Sequence, residues 1–114
     1  MTITDKRTFQ LHAEICKTLS NPLRLEILSV LRDGKKSVNE IAAITEHRQA
    51  TISQHLAVLR QRGVVSAHRE GINVYYSVAN PKITKACDLI SEVLFEHIAY
   101  MNGISIKEEA RAQT

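Results

Sequence analysis

Side chains that can hydrogen-bond or attract anions, without any acid among them, occupy the middle of the sequence. From His47 to Arg69 there are four arginines and no Asp or Glu, although the whole chain carries a net charge of only +3. Thr51, Gln54 and His55 lie within this stretch, and side chains of these types recognise base edges, while arginines suit phosphates. The pattern indicates a polyanionic partner, with an ordinary solvated basic surface as the alternative.

A sparser set of side chains could bind a metal or react as thiols. The chain has two cysteines, Cys16 and Cys87, and five histidines. His12 and Cys16 are four residues apart, so one helical face would carry both and offer half of a metal site. Cys87, Asp88 or His97 would complete that site. The alternatives are a redox switch between the two thiols and the simple packing of two small apolar residues.

Composition excludes several other classes of protein. The 114 residues, 44% of them apolar and 24% charged, fit one ordinary globular domain. Two cysteines do not make a disulfide framework, and no apolar run is long enough to cross a membrane. The sequence lacks a nucleophile–base signature, a glycine-rich phosphate loop and a zinc-hydrolase motif. We therefore expect a cytoplasmic protein that is not an enzyme and has no cofactor.

The elements that must position these side chains are predicted to be helices with one β-hairpin. Apolar spacing predicts helices over about 5–19, 22–33, 38–44, 49–62 and 81–101, and strands over 64–69 and 73–78. Asn21 before Pro22 predicts a helix N-cap, and Ser37 with Glu40 matches a capping box. Residues 1–102 are predicted to form one DNA-binding and dimerisation domain, followed by a polar tail over 103–114.

Two short helices joined by a turn around residues 45–48 are typical of a helix-turn-helix. In the second of them Ile52, Leu56 and Leu59 form the stripe to be buried, which leaves its polar residues for the major groove. The hairpin that follows would be a wing. The predicted DNA-binding residues are Ser37, Arg48, Gln49, Thr51, Ser53, Gln54, His55, Arg60, Arg62, Arg69 and Asn73.

The last helix repeats apolar residues at alternating steps of four and three, and this stripe is wider than a single small domain needs. We therefore expect part of it to meet a second copy of the chain, together with the similar stripe of the first helix. The predicted dimer interface comprises Phe9, His12, Cys16, Ile83, Cys87, Ile90, Leu94, His97 and Met101. Two-fold pairing would set the two recognition helices ~34 Å apart, which suits a palindromic operator in double-stranded DNA.

Four segments, in order, resemble the ArsR/SmtB-type winged-helix repressors. Residues 19–28 are similar to the family's second helix, 37–42 to its third, 49–60 to its recognition helix and 63–78 to its wing. The resemblance implies a mainly α winged helix-turn-helix with a two-stranded β-hairpin wing, dimerised through its first and last helices. It implies a repressor that leaves its operator when an inducer binds. A winged-helix module that binds protein instead of DNA is the alternative.

The resemblance does not extend to the family's inducer sites. At the places of the family's cysteine, histidine and acid ligands, this chain has residues that, except for Glu96, cannot bind a metal or react as a thiol. These residues are Ser29, Ser37, Asn39, Val58, Arg62, Asn80, Lys82, Val93, Phe95 and Glu96. The favoured interpretation of Cys16 and Cys87 is that they pack as small core residues, and a protein without an inducer at these positions is a further alternative. If the two cysteines do form an effector site, we expect it to sense thiol oxidation or a sulfur species. A metal held among His12, Cys16, Cys87 and His97 is the less favoured alternative.

Overall fold

The computed structural model describes residues 5–103. In chain order they form α1 (Lys6–Leu19), α2 (Pro22–Leu31), β1 (Lys36–Ser37), α3 (Val38–Thr45), α4 (Gln49–Gln61), β2 (Val65–Glu70), β3 (Asn73–Val78) and α5 (Pro81–Met101). The chain divides after residue 81 into two compact units, the first ending with Pro81 and the second holding the rest of α5.

Side-chain caps fix where three of the helices begin. The Asp5 carboxylate accepts a hydrogen bond from the Thr8 backbone N–H at 2.8 Å, and the Asn21 side chain accepts from the Arg24 N–H at 3.1 Å. Both satisfy a backbone donor that the first turn of a helix leaves unpaired. Asn21 as the N-cap of α2, with Pro22 in its first turn, is confirmed.

The predicted capping box of α3 is confirmed. The Glu40 N–H donates to Ser37 Oγ at 3.2 Å, and the Ser37 N–H donates to Glu40 Oε1 at 3.0 Å. These bonds with Ser37 hold the pKa of Glu40 below its ordinary value. The C-cap of the helix is Glu46, whose φ of 58° lies in the left-handed region that is usually taken by glycine.

The core of the first unit is built from α2, α3, α4 and the start of the hairpin. On α4 the predicted stripe of Ile52, Leu56 and Leu59 is fully buried. Packing this stripe fixes the rotation of α4, so that its remaining residues are exposed or half-buried. The apolar residues buried with the stripe are Ile27, Leu28, Leu31, Ile41, Val64 and Val65.

The hairpin is part of a three-stranded antiparallel sheet in the order β1-β3-β2. The predicted hairpin is confirmed, with Glu70 opposite Asn73 and a two-residue turn at Gly71, whose φ is 63°. The third strand, β1, was not predicted. It has two residues, Lys36 and Ser37, which pair with Tyr76 and Tyr75 and join the entry of α3 to the wing.

Helix α5 runs for 21 residues with the predicted bounds. Many of its large apolar side chains are exposed: Leu89, Ile90, Val93, Leu94, Phe95, Ile98, Tyr100 and Met101. Within residues 5–103, no helix is both long and apolar enough to cross a membrane. The predicted polar tail lies outside the described residues except for Gly103, and the single-domain boundary at residue 102 stays a prediction.

Candidate nucleic-acid interface

Helix α4 presents a polar surface opposite its buried stripe. Gln49, Ser53 and Gln54 are exposed, Thr51 and His55 are half-buried, and no acid is present in the helix. At 1.5 Å per residue the 13-residue helix is about 20 Å long, which fits a groove about 12 Å wide when laid along it. The exposed polar residues predicted for base recognition therefore lie on the accessible part of one short helix.

The N-terminus of α4 differs from those of the preceding helices. Within the described residues, α1, α2 and α3 each have a side-chain N-cap bond, whereas the N-cap of α4, Arg48, makes none. The first backbone hydrogen bond of α4 is donated by the Ile52 N–H to the carbonyl oxygen of Arg48. The N–H groups of residues 49–51 thus remain without intrahelical partners at the positive end of the helix dipole, beside an arginine. Such an end attracts phosphate.

His55 is held by Arg24, a residue that the sequence analysis did not single out. The Arg24 Nε–H donates to His55 Nδ1 at 3.2 Å, and Arg24 Nη1 donates to the Thr18 carbonyl oxygen at 3.2 Å. Burial, then the charge of Arg24, then the neighbouring His47 hold the pKa of His55 below its ordinary value. A neutral His55 is therefore part of the polar face of α4 at neutral pH.

The two arginines predicted at the end of α4 have different surroundings. Arg60 is exposed, whereas Arg62 caps the C-terminus of α4 and its Nη1 lies 3.4 Å from Glu14 Oε2 of α1. Both side chains of the pair are about half exposed, with relative areas of 49% and 55%. Arg62 thus lies at the C-terminal end of α4, whereas Gln49 lies at its N-terminal end, and the Glu14 carboxylate offsets the charge of Arg62.

The predicted wing residues lie on opposite faces of the hairpin. Side chains alternate along a strand, and residues paired across two antiparallel strands share a face. Arg69 pairs with Val74, and Asn73 pairs with the next residue of β2, Glu70. Arg69 and Asn73 are both exposed. Because they lie on opposite faces, DNA bound against one face of the hairpin would directly contact only one of these two side chains.

Glu70, the acid at the wing tip, forms an ion pair with a lysine that was not predicted to be part of the site. Lys35 Nζ forms an ion pair with Glu70 and lies 5.1 Å from the centre of the Tyr75 ring. The hydrogen bond and charge of Lys35, with His68 nearby, lower the pKa of Glu70. The pair reduces the repulsion that Glu70 would exert on a phosphate and ties the wing tip to the segment before β1.

Ser37, also predicted to contact DNA, is half-buried, and its hydroxyl oxygen already accepts the capping bond from Glu40. Its hydroxyl hydrogen remains the group that could be donated to a phosphate. The contacts of Ser37, like those of the other predicted DNA-binding residues, stay predictions.

The candidate effector residues are accessible to different degrees. Cys16 is exposed and Cys87 is half-buried, in separate compact units, so their pairing stays a prediction. Among the described residues, no group of three or more His, Cys, Asp or Glu side chains is arranged to hold a metal ion. His12 and His97 are both exposed.

The residues predicted for the dimer interface are exposed or half-buried in the single chain. Phe9 has a relative exposed area of 55%, Ile90 of 69% and Leu94 of 52%. Met101 is also exposed, whereas Ile83 is half-buried. This exposure is compatible with the predicted interface, which stays a prediction.

Comparison with known proteins gives a family match over the region just described. The model of the family described as "Bacterial regulatory protein, arsR family" matches residues 21–67, which run from the N-cap of α2 into β2. These residues include all of α4 and exclude α1 and α5.

Relatives with curated names are transcriptional regulators. The chain is 37% identical over 87 residues to the HTH-type transcriptional regulator Rv0324 of Mycobacterium tuberculosis, covering 76% of this chain and 38% of that protein. It is 34% identical over 105 residues to the uncharacterized regulator Rv0081 of the same organism, covering 91% and 90%. It is 37% identical over 82 residues to the transcriptional repressor PagR of Bacillus anthracis, covering 71% and 82%.

Solved structures of similar proteins have the same fold as this chain. The crystal structure of Rv0081 has a TM-score of 0.77 and 34% identity, over 85% of this chain and 98% of that one. The solution structure of a fragment of Mb0332 from Mycobacterium bovis, described as a homodimeric winged helix-turn-helix DNA-binding domain, has a TM-score of 0.75 and 32% identity, over 88% and 95%. The expected winged helix-turn-helix fold is confirmed.

Proposed function

The chain belongs to the arsR family of bacterial regulatory proteins, and we propose that it is a homodimeric repressor that binds a palindromic DNA operator. The observation that carries the proposal is the polar, acid-free side of α4, which begins at an N-terminus without a side-chain cap. This side offers base-reading groups and a phosphate site on one helix. As a DNA-binding regulator it would act in the cytoplasm.

In the proposed complex α4 lies in the major groove. Gln54, Ser53 and Gln49 read base edges from the exposed side of the helix, while Arg48 and the open N–H groups take a phosphate. The wing contributes Arg69 to the flanking backbone, and Lys35 keeps Glu70 from opposing this contact. Arg62 contributes less than Arg60, because Glu14 already offsets its charge.

The proposed homodimer is supported by the apolar side chains that the single chain leaves exposed on α5, and separately by Phe9, Leu11 and Ile15 on α1. Exposed apolar surface of this extent marks a protein interface. The Mb0332 fragment, which resembles this chain in fold and sequence, is described as homodimeric. A two-fold dimer would present two α4 helices about one turn of DNA apart, ~34 Å, to two half-sites.

Repression is proposed because PagR, a relative that this chain matches over 82% of its length, is named a repressor. For release we propose a thiol switch in preference to a metal, since Cys16 is exposed and the described residues contain no cluster of metal ligands. Hydrogen peroxide would oxidise the Cys16 and Cys87 thiols to a disulfide, and the two thiol hydrogens and the peroxide would leave as two molecules of water.

Duplex selection from random DNA tests the proposal. We expect the purified protein to enrich a palindrome, and the binding constant to fall with salt at a log–log slope of about −0.9 per phosphate neutralised. Gln54→Ala should relax the selected sequence, whereas Arg48→Ala should weaken all duplexes. Binding that is absent, or insensitive to salt, would indicate a protein-binding module instead.

A reporter placed behind the selected operator tests the direction of regulation and the switch. We expect lower expression with the protein than without it; higher expression would identify an activator. Peroxide should release the protein from the operator, and Cys16→Ser and Cys87→Ser should each prevent that release. Release that survives both substitutions would exclude the thiol switch while leaving DNA binding intact.

A further inference from the structure

Arg24 joins three helices of the first unit through directional bonds. It stands in the first turn of α2, half-buried, and its guanidinium donates to the Thr18 carbonyl near the end of α1 and to His55 Nδ1 on α4, each at 3.2 Å. A guanidinium carries only donors and stays charged at any pH a protein tolerates. The nitrogen of His55 that faces Arg24 must therefore act as an acceptor.

An accepting Nδ1 fixes where the proton of the His55 ring lies. A neutral imidazole has one donor and one acceptor nitrogen, so the ring that accepts at Nδ1 carries its hydrogen on Nε2. The charged and titratable groups beside the ring are Arg24 from α2 and His47 from the turn before α4. Both oppose a further proton, as does burial of the ring, and they keep the pKa of His55 low.

The ring lies within the surface proposed to read DNA. His55 is half-buried, follows the exposed Gln54 and lies one helical turn from Thr51 on the same face. Arg24 is its hydrogen-bond partner in the part of the chain that the structure describes, and this bond uses Nδ1 alone. The Nε2–H is thus a single fixed donor on a face otherwise made of amides and hydroxyls, which can act either way.

We propose that Arg24 is a positioning residue that makes His55 a hydrogen-bond donor to an acceptor atom on a DNA base edge. Arg24 thereby helps to set sequence preference without touching DNA. The acceptors available in the major groove are purine N7, guanine O6 and thymine O4. This inference rests on the proposed DNA-binding function. Lysine would not replace Arg24, because a single ammonium cannot keep the two bonds in their fixed directions.

The ring state can be measured in the free protein, independently of DNA. Nitrogen-15 NMR of wild-type protein should show His55 neutral with its hydrogen on Nε2 at pH 7. Arg24→Met should give a mixture of the two neutral tautomers and raise the titration midpoint. Arg60→Met, which removes an arginine on α4 that does not contact His55, should leave the tautomer unchanged. A wild-type ring protonated on Nδ1 would overturn the proposal whether or not the protein binds DNA.

The consequence for recognition is measured on the duplex selected by the wild-type protein. Arg24→Met should reduce the preference for this duplex over random DNA by about tenfold, the scale of one hydrogen bond. His55→Gln should cause a similar loss, and adding Arg24→Met to it should cause no further loss. Equal weakening on both duplexes, or additive losses, would assign Arg24 a purely structural role and overturn the proposal.

Arg24→Lys guards against a folding defect, because it retains the charge and a donor at the same place. We expect this variant to melt within a few degrees of wild type. It should nevertheless lose sequence preference and show a mixture of His55 tautomers. If instead Arg24→Lys keeps full preference, the fixed bond pair is unnecessary and the proposal fails. Wild-type protein that binds no duplex would refute the proposed function, while the NMR result would still stand.

Discussion

Helix α4, in the first compact unit, and helix α5 differ in how far their apolar side chains are covered. In the unit, Ile52, Leu56 and Leu59 of α4 are each 0% exposed, so the polar face of that helix is held by a finished core. On α5, Leu94 and Phe95 are 52% and 56% exposed. The difference indicates that the surface proposed to read DNA is supported by a core within one chain, whereas the last helix needs another surface, which we propose to be a second copy.

A charge on α5 is the strongest way to break this comparison. Leu94→Glu should abolish the dimer and lower operator affinity by about a hundredfold or more, because two linked half-site contacts become one. Light scattering and operator titration measure the two effects. Lys85→Gln, which makes α5 one unit more negative at an exposed position on the opposite side of the helix, is the matched control. A monomeric Leu94→Glu variant with undiminished operator affinity would contradict the two-half-site arrangement.

Truncating the same residue type in the two regions sharpens the comparison. Leu56→Ala should lower the free energy of unfolding by about 2 to 5 kcal/mol, because it leaves a cavity in a closed core. Leu94→Ala should cost less, and its cost should depend on protein concentration, since the side chain is covered only in the dimer. Denaturant unfolding at two concentrations tests both. Equal, concentration-independent losses would show that α5 completes a monomer core.

The capping box at the start of α3 should stabilise the first unit without affecting the dimer. Ser37→Ala removes the cap and should cost about 1 kcal/mol of unfolding free energy, without changing the dimer. The bonds with Ser37 lower the pKa of Glu40, so its carboxylate contribution is complete above the ordinary value of 4.5 and is lost as pH falls through the lowered pKa. The difference between wild type and Ser37→Ala should therefore shrink in acid. Thermal melts from pH 7 to pH 3 measure this, and a constant difference would exclude the carboxylate.

The wing should show the smallest effect. Arg69→Ala should weaken binding to every duplex a few-fold and reduce the log–log salt slope by about 0.9, one phosphate contact, with the dimer unchanged. Arg62→Ala should change the slope less, because Glu14 offsets that charge in the free protein. Fluorescence anisotropy over a salt series provides the slopes. A larger change for Arg62 would place the far end of α4, rather than the hairpin, on the phosphates.

Local signals in the sequence predicted most of the fold. The Asn21 and Ser37 caps, the bounds of β3 and α5, and the buried stripe of α4 depend on residues within a few positions of each other, where spacing is informative. Strand β1 could not be predicted because two residues carry no alternation. Its pairing depends on Tyr75 and Tyr76, about forty positions later in the chain.

The candidate site was predictable in its exposed residues and not in its supports. Arg24 contacts His55 across 31 positions, and Lys35 contacts Glu70 across 35. An arginine and a lysine on helices or loops are ordinarily solvated, so their residue types alone do not distinguish them from other surface charges. The left-handed Glu46 was missed for a related reason, because its conformation is imposed by the turn rather than by its side chain.

The uncapped start of α4 has a consequence for how duplexes are distinguished. The N–H groups of residues 49–51 lack intrahelical partners and α4 has no side-chain cap bond, so we expect its first turn to be less firmly held than the capped first turns of α1, α2 and α3. A phosphate seated there would complete the turn, and ordering of the helix would be thermodynamically linked to complex formation. A mismatched sequence that holds the phosphate poorly would then leave Gln49 and its neighbours loosely ordered, and amide hydrogen exchange at those positions would report the quality of the match.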